Sequence, residues 1–151
     1  FEKLERYGKE PTLENLERYI MDVAGVRVVC TFPEDMFSLA ESLLSQDDVI
    51  LIERRDYVAS PKPSGYRSLH LIIEVPIFLE REKRSVKVEV QLRTISMNFW
   101  ASLEHQLRYK KNLSDEEAAA VAAELADLAE TAADLDRRMQ ILRNYLDDGE
   151  E

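Results

Sequence analysis

The chain has 151 residues, 45% of them apolar and 33% charged, and a formal net charge of −10. That length suits one domain with its own core, and the acidic balance argues against a general nucleic-acid binder. A single cysteine, Cys30, excludes an intrachain disulfide, and with only two distant histidines a closed zinc site is not expected. No apolar run is long enough to span a membrane and no signal-peptide pattern is present, so a reducing cytoplasm is the expected compartment.

Phe1–Gly8 reads as the last turns of a helix stopped by Gly8. Pro11 and Thr12 open a short helix to about Ile20, with Thr12 as its N-cap. The Val-rich stretch Ala24–Phe32 predicts a buried strand, in which Cys30 is a buried, inert thiol. Pro33 starts a helix with an apolar face of Met36, Phe37, Ala40, Leu43 and Leu44. Val49–Arg54 is a second strand and Asp56–Gly65 a loop marked by Pro61, Pro63 and Gly65. Arg67–Pro76 and Arg84–Thr94 are the third and fourth strands, joined by a hairpin connection at Glu80–Arg84. Ile95–Lys110 is an amphipathic helix. Ser114 caps a long final helix, with Glu117 at capping-box spacing.

The final helix has the cleanest periodicity. Val121, Leu125, Leu128, Ala132, Leu135, Met139, Leu142 and Leu146 alternate steps of four and three, an a/d seam. Such a seam either covers one face of its own sheet or docks onto a second copy.

The run Val86–Arg93 alternates without a break. Val86, Val88, Val90 and Leu92 point one way, and Lys87, Glu89, Gln91 and Arg93 point the other, toward water. Taken alone, this is an antiparallel strand with a core face and a solvated face. Cations gather between Arg54 and Arg93, which suits a local phosphate site better than a long polyanion track. Asp22 precedes a strand, where Asp often caps a turn. With Glu89 it could instead supply the one or two carboxylates that Mg²⁺ takes from protein. Tyr66, Ser68 and His70 share parity on the third strand, opposite Leu69 and Leu71. The bland reading is a half-buried Tyr and a surface His. Lys62 lies in the loop before them. Arg27, among apolar neighbours, either pairs with an acid or stacks its guanidinium plane on a base.

Five ordered segments carry a resemblance. They are Asp22-Val23-Ala24-Gly25-Val26-Arg27-Val28; Arg55-Asp56-Tyr57 with Lys62 and Gly65-Tyr66-Arg67-Ser68-Leu69-His70; Glu89-Val90-Gln91-Leu92-Arg93-Thr94; Met97-Asn98-Phe99-Trp100-Ala101; and Glu104-His105 with Tyr109-Lys110. In this order the chain resembles the synthetase domain of the RelA/SpoT family, in the form of its stand-alone small alarmone synthetases. The likeness runs from Phe1 to about Lys111 and more loosely beyond. It implies an α+β, nucleotidyltransferase-like fold with a mixed, largely antiparallel sheet of four to five strands and a long C-terminal helix. Residues 1–111 would form the catalytic domain and 112–151 a helical, oligomerising extension.

The implied reaction moves pyrophosphate from ATP to the ribose 3′-OH of GDP or GTP, giving AMP and (p)ppGpp. Asp22 and Glu89 would hold Mg²⁺, with Glu89 also activating the hydroxyl. Arg27 would stack on adenine and Tyr66 on guanine. Lys62 and His70 would contact the acceptor's phosphates, with Arg55 nearby. Lys3 matches the last cation of an ATP-phosphate motif whose earlier members would precede Phe1. Asn98 matches a position that could line an allosteric (p)ppGpp cleft, and a homotetramer is implied. The chain has no His-Asp dipeptide, so the hydrolase activity of bifunctional members is not expected. Two rival readings use the same fold: a catalytically silent nucleotide-binding regulatory module, and an oligomer that binds single-stranded RNA.

Overall fold

The computed structural model describes residues 6, 8, 10, 12, 14–15, 24–108 and 112–149. Four strands, β1 (Ala24–Cys30), β2 (Ile50–Asp56), β3 (Leu69–Phe78) and β4 (Lys83–Thr94), form one sheet in the order β1-β4-β3-β2. β3 pairs antiparallel with both β2 and β4, whereas β1 runs parallel to β4. Three helices accompany the sheet: α1 (Pro33–Leu44), α2 (Ile95–Arg108) and α3 (Asp115–Asp148).

The alternation of β4 decides the layering. Val88, Val90 and Leu92 stand in register with Ile73, Leu71 and Leu69 of β3. These residues meet Met36 and Ala40 of α1 and Met97 of α2 in the main core. Each fully buried aliphatic side chain there contributes roughly 1.5–3 kcal/mol. α1 begins on Pro33, with Glu34 and Asp35 in its first turn, where the helix dipole favours negative charge. Its N-cap residue, Phe32, supplies no side-chain bond. The buried Gln140 of α3 does so instead, its Oε1 accepting from the Glu34 N–H at 3.1 Å. Arg143 of α3 adds an ion pair to Asp35 at 2.7 Å.

β4 passes into α2 without a loop. The Thr94 hydroxyl oxygen accepts from the Met97 N–H at 3.2 Å, and its proton goes to Asp136 of α3 at 2.6 Å. A second small core joins α2 to α3 through Trp100, Leu125 and Ala129. The Trp100 indole donates to the Leu125 carbonyl at 2.8 Å. Ser114 and Glu117 form the capping box expected of them.

Several expectations change. β1 is an edge strand, not a buried one; Val26 and Val29 are 50% and 45% exposed, because only β4 flanks it. Cys30 at its end is half-buried, and burial together with nearby Asp35 raises its pKa, which keeps it a thiol. β3 starts at Leu69 and runs through Pro76, past the end of the β2 ladder at Glu74. Tyr66 and Ser68 therefore precede the strand. The seam of α3 is buried within the protomer only at its start, where Val121 and Leu125 pack on the Trp100 core of α2; Leu128, Leu135, Met139, Leu142 and Leu146 are 46–66% exposed. α3 packs on α2 and the start of α1 rather than on the sheet. Of the N-terminal helices, the Thr12 cap is seen, its hydroxyl accepting from the Asn15 N–H at 3.2 Å. Gly8 has the left-handed φ of +65° that suits a helix stop. Most of both helices lies outside the described residues.

Candidate active site

The sheet face opposite α1 is polar. Parity and register put Gly25 and Arg27 of β1 there, beside Glu89 and Gln91 of β4. On the other side of β4, His70 faces Gln91 and Ile72 faces Glu89; beyond them Arg55 of β2 stands opposite His70. Four strands thus bring Arg27, Gln91, His70 and Arg55 into one row, with Glu89 two residues along β4 on the same face.

The loop from Tyr57 to Tyr66 closes over this face. Gly65 has φ +99°, and a Cβ there would lie 2.7 Å from the Ala129 Cβ and 3.4 Å from Trp100. Only glycine meets both demands, so Gly65 turns the chain against α3 and delivers Tyr66 to the sheet. There the Tyr66 hydroxyl lies 2.8 Å from His70 Nε2. Tyr57, Tyr66 and His70 pack edge to face with centroids 5.3–6.0 Å apart. The Lys62 ammonium sits 4.8 Å from the Tyr57 ring and 5.1 Å from the Tyr66 ring. This places an exposed cation beside an aromatic platform, an arrangement that can take a base and its phosphates together.

Glu89 is the carboxylate at the middle of this face; Glu53 of β2 shares the face but is taken up by Arg55. Its Oε1 lies 3.1 Å from His70 Nδ1 and 3.4 Å from Gln91 Nε2. His70 is 9% exposed, not a surface histidine. Burial lowers its pKa below the usual 6.5; Glu89 opposes this, and Lys62 and Arg93 reinforce it. Arg93 corrects the expectation of a solvated β4 face more sharply, being only 6% exposed. Its guanidinium donates to the Tyr66 hydroxyl at 2.9 Å, Gln91 at 3.3 Å and Asn98 at 3.3 Å. Asn98 is thus half-buried beside the site. A cleft of about 460 Å³ opens in front of Arg27, Tyr66 and Arg93, walled by Ser102, Glu104 and His105 of α2.

The cation-rich middle of the chain divides between faces. Arg54 reaches across to Glu41 of α1 at 3.1 Å, and Arg67 pairs with Glu130 of α3 at 3.0 Å. Arg55 stays at the open face, half-exposed and bound through two nitrogens to Glu53. Lys3 and Asp22 lie outside the described residues. Sequence reasoning assigned no role to Tyr57, Gln91 or Arg93. For the last two the signal was present, since they share the parity of Glu89.

Among the described residues, no cluster of three or more His, Cys, Asp or Glu side chains forms a metal cage. A donor set of one carboxylate on an open face suits a hard Mg²⁺ that completes its shell with phosphate oxygens and water. Glu89 fits that requirement, and in sequence Asp22 lies just before β1, whose Gly25 is the ladder neighbour of Glu89.

A family model described as a region found in RelA / SpoT proteins matches residues 1–114. The chain is 42% identical over 145 residues to the GTP pyrophosphokinase YwaC of Bacillus subtilis, covering 96% of this chain and 68% of that protein. It is 37% identical over 131 residues to the GTP pyrophosphokinase YjbM of the same organism, covering 87% of this chain and 61% of that one. Among solved structures, small alarmone synthetase 1 from Bacillus subtilis bound to its product pppGpp superposes with a TM-score of 0.78 at 36% identity. That match covers 97% of this chain and 72% of the other. Sequence match and shared fold run together over nearly the whole chain, and this protein belongs to the RelA/SpoT family.

Proposed function

We propose that this chain is a GTP pyrophosphokinase that transfers pyrophosphate from ATP to the 3′-OH of GDP or GTP, releasing AMP and (p)ppGpp. The observation that carries the reading is Glu89. It is the carboxylate at the middle of a polar sheet face, on the strand between β1, which carries Arg27, and the His70–Tyr66 pair. The relatives named above as GTP pyrophosphokinases support the same reaction.

Attack on a β-phosphorus spreads charge over oxygens and needs in-line geometry. Positioning and electrostatic clamping therefore supply most of the catalysis. In this reading Arg27 stacks on the adenine of ATP, and Tyr66 stacks on guanine within reach of Lys62. Lys62 and Arg55, both solvent-accessible, take phosphates of the bound nucleotides, and Lys3 belongs to the ATP side. Glu89 accepts a hydrogen bond from the attacking 3′-hydroxyl and orients it. Glu89 and Asp22 would hold Mg²⁺, which when bound neutralises phosphate charge. His70 sits at the back of the acceptor site with both ring nitrogens engaged, so contact with a phosphate would require it to release one partner.

The second part of the proposal concerns assembly. The exposed Leu128, Leu135, Met139, Leu142 and Leu146 of α3 form an apolar face that a second copy of the chain would cover, in a symmetric homo-oligomer, most simply a tetramer. The segment 112–151 is then the oligomerising element. Asn98, beside Arg93, is the residue through which a (p)ppGpp effector would be sensed.

Nucleotide chromatography after mixing the protein with ATP, GDP and Mg²⁺ tests the reaction. AMP and ppGpp should appear in equal amounts. Glu89→Gln should fold normally and lose nearly all turnover, since it keeps the shape and removes the charge. Turnover in that variant above a few per cent of wild type would remove Glu89 from the mechanism.

A further inference from the structure

Arg93 is an unusual residue to bury. Its guanidinium is permanently charged, yet its hydrogen-bond partners among the described residues, Tyr66, Gln91 and Asn98, are all neutral. Its Nε is buried with no partner at all among them. A buried charge without a carboxylate opposes folding unless something else is gained.

The gain is visible in where its bonds lead. One branch runs from Arg93 Nη2 to the Tyr66 hydroxyl (2.9 Å), on to His70 Nε2 (2.8 Å), and from His70 Nδ1 to Glu89 Oε1 (3.1 Å). The other runs from the same Nη2 to Gln91 Oε1 (3.3 Å), and from Gln91 Nε2 to the same Glu89 Oε1 (3.4 Å). Both branches begin on a group that can only donate and end on a carboxylate that, when ionised, can only accept. Every link between them is therefore polarised in one direction. Arg93 fills a lone pair of the Tyr66 oxygen, and the phenolic proton goes to His70 Nε2. The imidazole must then present Nδ1–H to Glu89. The Gln91 amide is fixed likewise, oxygen toward Arg93 and nitrogen toward Glu89.

We propose that Arg93 is the positioning residue of the active site: through Tyr66–His70 and through Gln91 it sets the rotation of the Glu89 carboxylate. The hydroxyl of Tyr66 thereby has a role separate from its ring. The ring stacks, while the hydroxyl passes the Arg93 constraint to His70. What Glu89 does once positioned rests on the pyrophosphate-transfer reading; the network itself does not.

The test uses the nucleotide-free, metal-free protein, ¹⁵N-labelled and held above the histidine titration range. With two histidines in the chain, His105→Gln assigns the ring signals. Long-range ¹H–¹⁵N spectra should show His70 as a single neutral tautomer with its proton on Nδ1. Tyr66→Phe, which keeps the ring and removes the hydroxyl, should leave the proton on Nδ1, where Glu89 holds it, but move the Nε2 signal to that of a nitrogen with no hydrogen-bond donor. Arg93→Lys, which keeps the charge and loses the fork, should move the Nε2 signal too. In turnover assays Tyr66→Phe should hold the KM for GDP within about twofold and lower kcat roughly 10–100-fold, the usual cost of removing an outer-shell partner. Arg93→Met is the harsher variant; should it fail to fold, Tyr66→Phe decides. A wild-type His70 protonated on Nε2 overturns the proposal, as does a Tyr66→Phe protein with unchanged His70 signals and unchanged kcat. A wild-type protein with no transferase activity but with the Nδ1–H tautomer, and an Nε2 signal that moves in both Tyr66→Phe and Arg93→Lys, refutes the transfer reading and supports the positioning by Arg93.

Discussion

At the scale of single residues, the proposed site separates exposed groups open to nucleotides from buried groups that hold the site together. Arg27 and Lys62 are exposed and reach into open space; His70 and Arg93 are buried. Tyr66→Ala should weaken GDP and GTP binding by ~1–3 kcal/mol, the scale of a base–aromatic stack, with little change for ATP. Arg27→Ala should do the reverse. Calorimetric titration separates them, and equal losses for both nucleotides would make Tyr66 a structural residue. His70 makes a different prediction. Its folded pKa is depressed, chiefly by burial, from an ordinary 6.5. The unfolded chain therefore takes up a proton first as pH falls, and stability is lost from the ordinary histidine range downward, while it is fully present above it. Urea unfolding on either side of 6.5 should show this loss in the wild type, and less of it in His70→Gln, where carboxylate contributions are shared. Parallel pH profiles would count against it.

At the scale of elements, the loop from Tyr57 to Tyr66 is positioned by a helix far from it in sequence. Gly65 lies against Ala129, Ala126 and Trp100, and the Arg67–Glu130 pair ties the same loop to α3. Gly65→Ala combines a φ of +99° with a Cβ only 2.7 Å from a side chain. The backbone strain alone costs ~1–3 kcal/mol, and relief of the clash must move the loop or the helix. The urea midpoint should fall, and acceptor affinity should fall more than ATP affinity, because Tyr66 is the next residue. Equal loss for both substrates would mean that the loop moves as one with the sheet.

At the scale of the whole molecule, the exposed apolar face of α3 bears on assembly. No helix among the described residues is long and apolar enough to cross a membrane; in the proposed assembly a second copy of the chain covers the apolar face of α3. Leu135 is 54% exposed near its centre. Light scattering should report a tetramer for the wild type and a smaller, soluble species for Leu135→Asp. A wild type that runs as a monomer at micromolar concentration refutes the assembly.

Local chemistry was enough to read much of this architecture. The strict alternation of β4, Pro33 at the first helical position, and the Ser114–Glu117 capping box each specify an element through short-range sterics or hydrogen bonding. The ordered motifs carried the family. Glu89, Tyr66, His70 and Arg27 could be singled out because parity and loop position mark them. The neighbours of those residues could not be read, since β1 lies beside β4 across more than sixty intervening residues and in parallel. That pairing leaves β1 at the edge of the sheet and brings Arg27 to Gln91. Burial also escaped local reading. A polar parity says which way Arg93 points but not that Tyr66 and Asn98 will close over it, nor that α3 will supply Gln140 to cap α1 and Ala129 to seat Gly65. Those outcomes depend on contacts between distant segments, which only the packed tertiary structure decides.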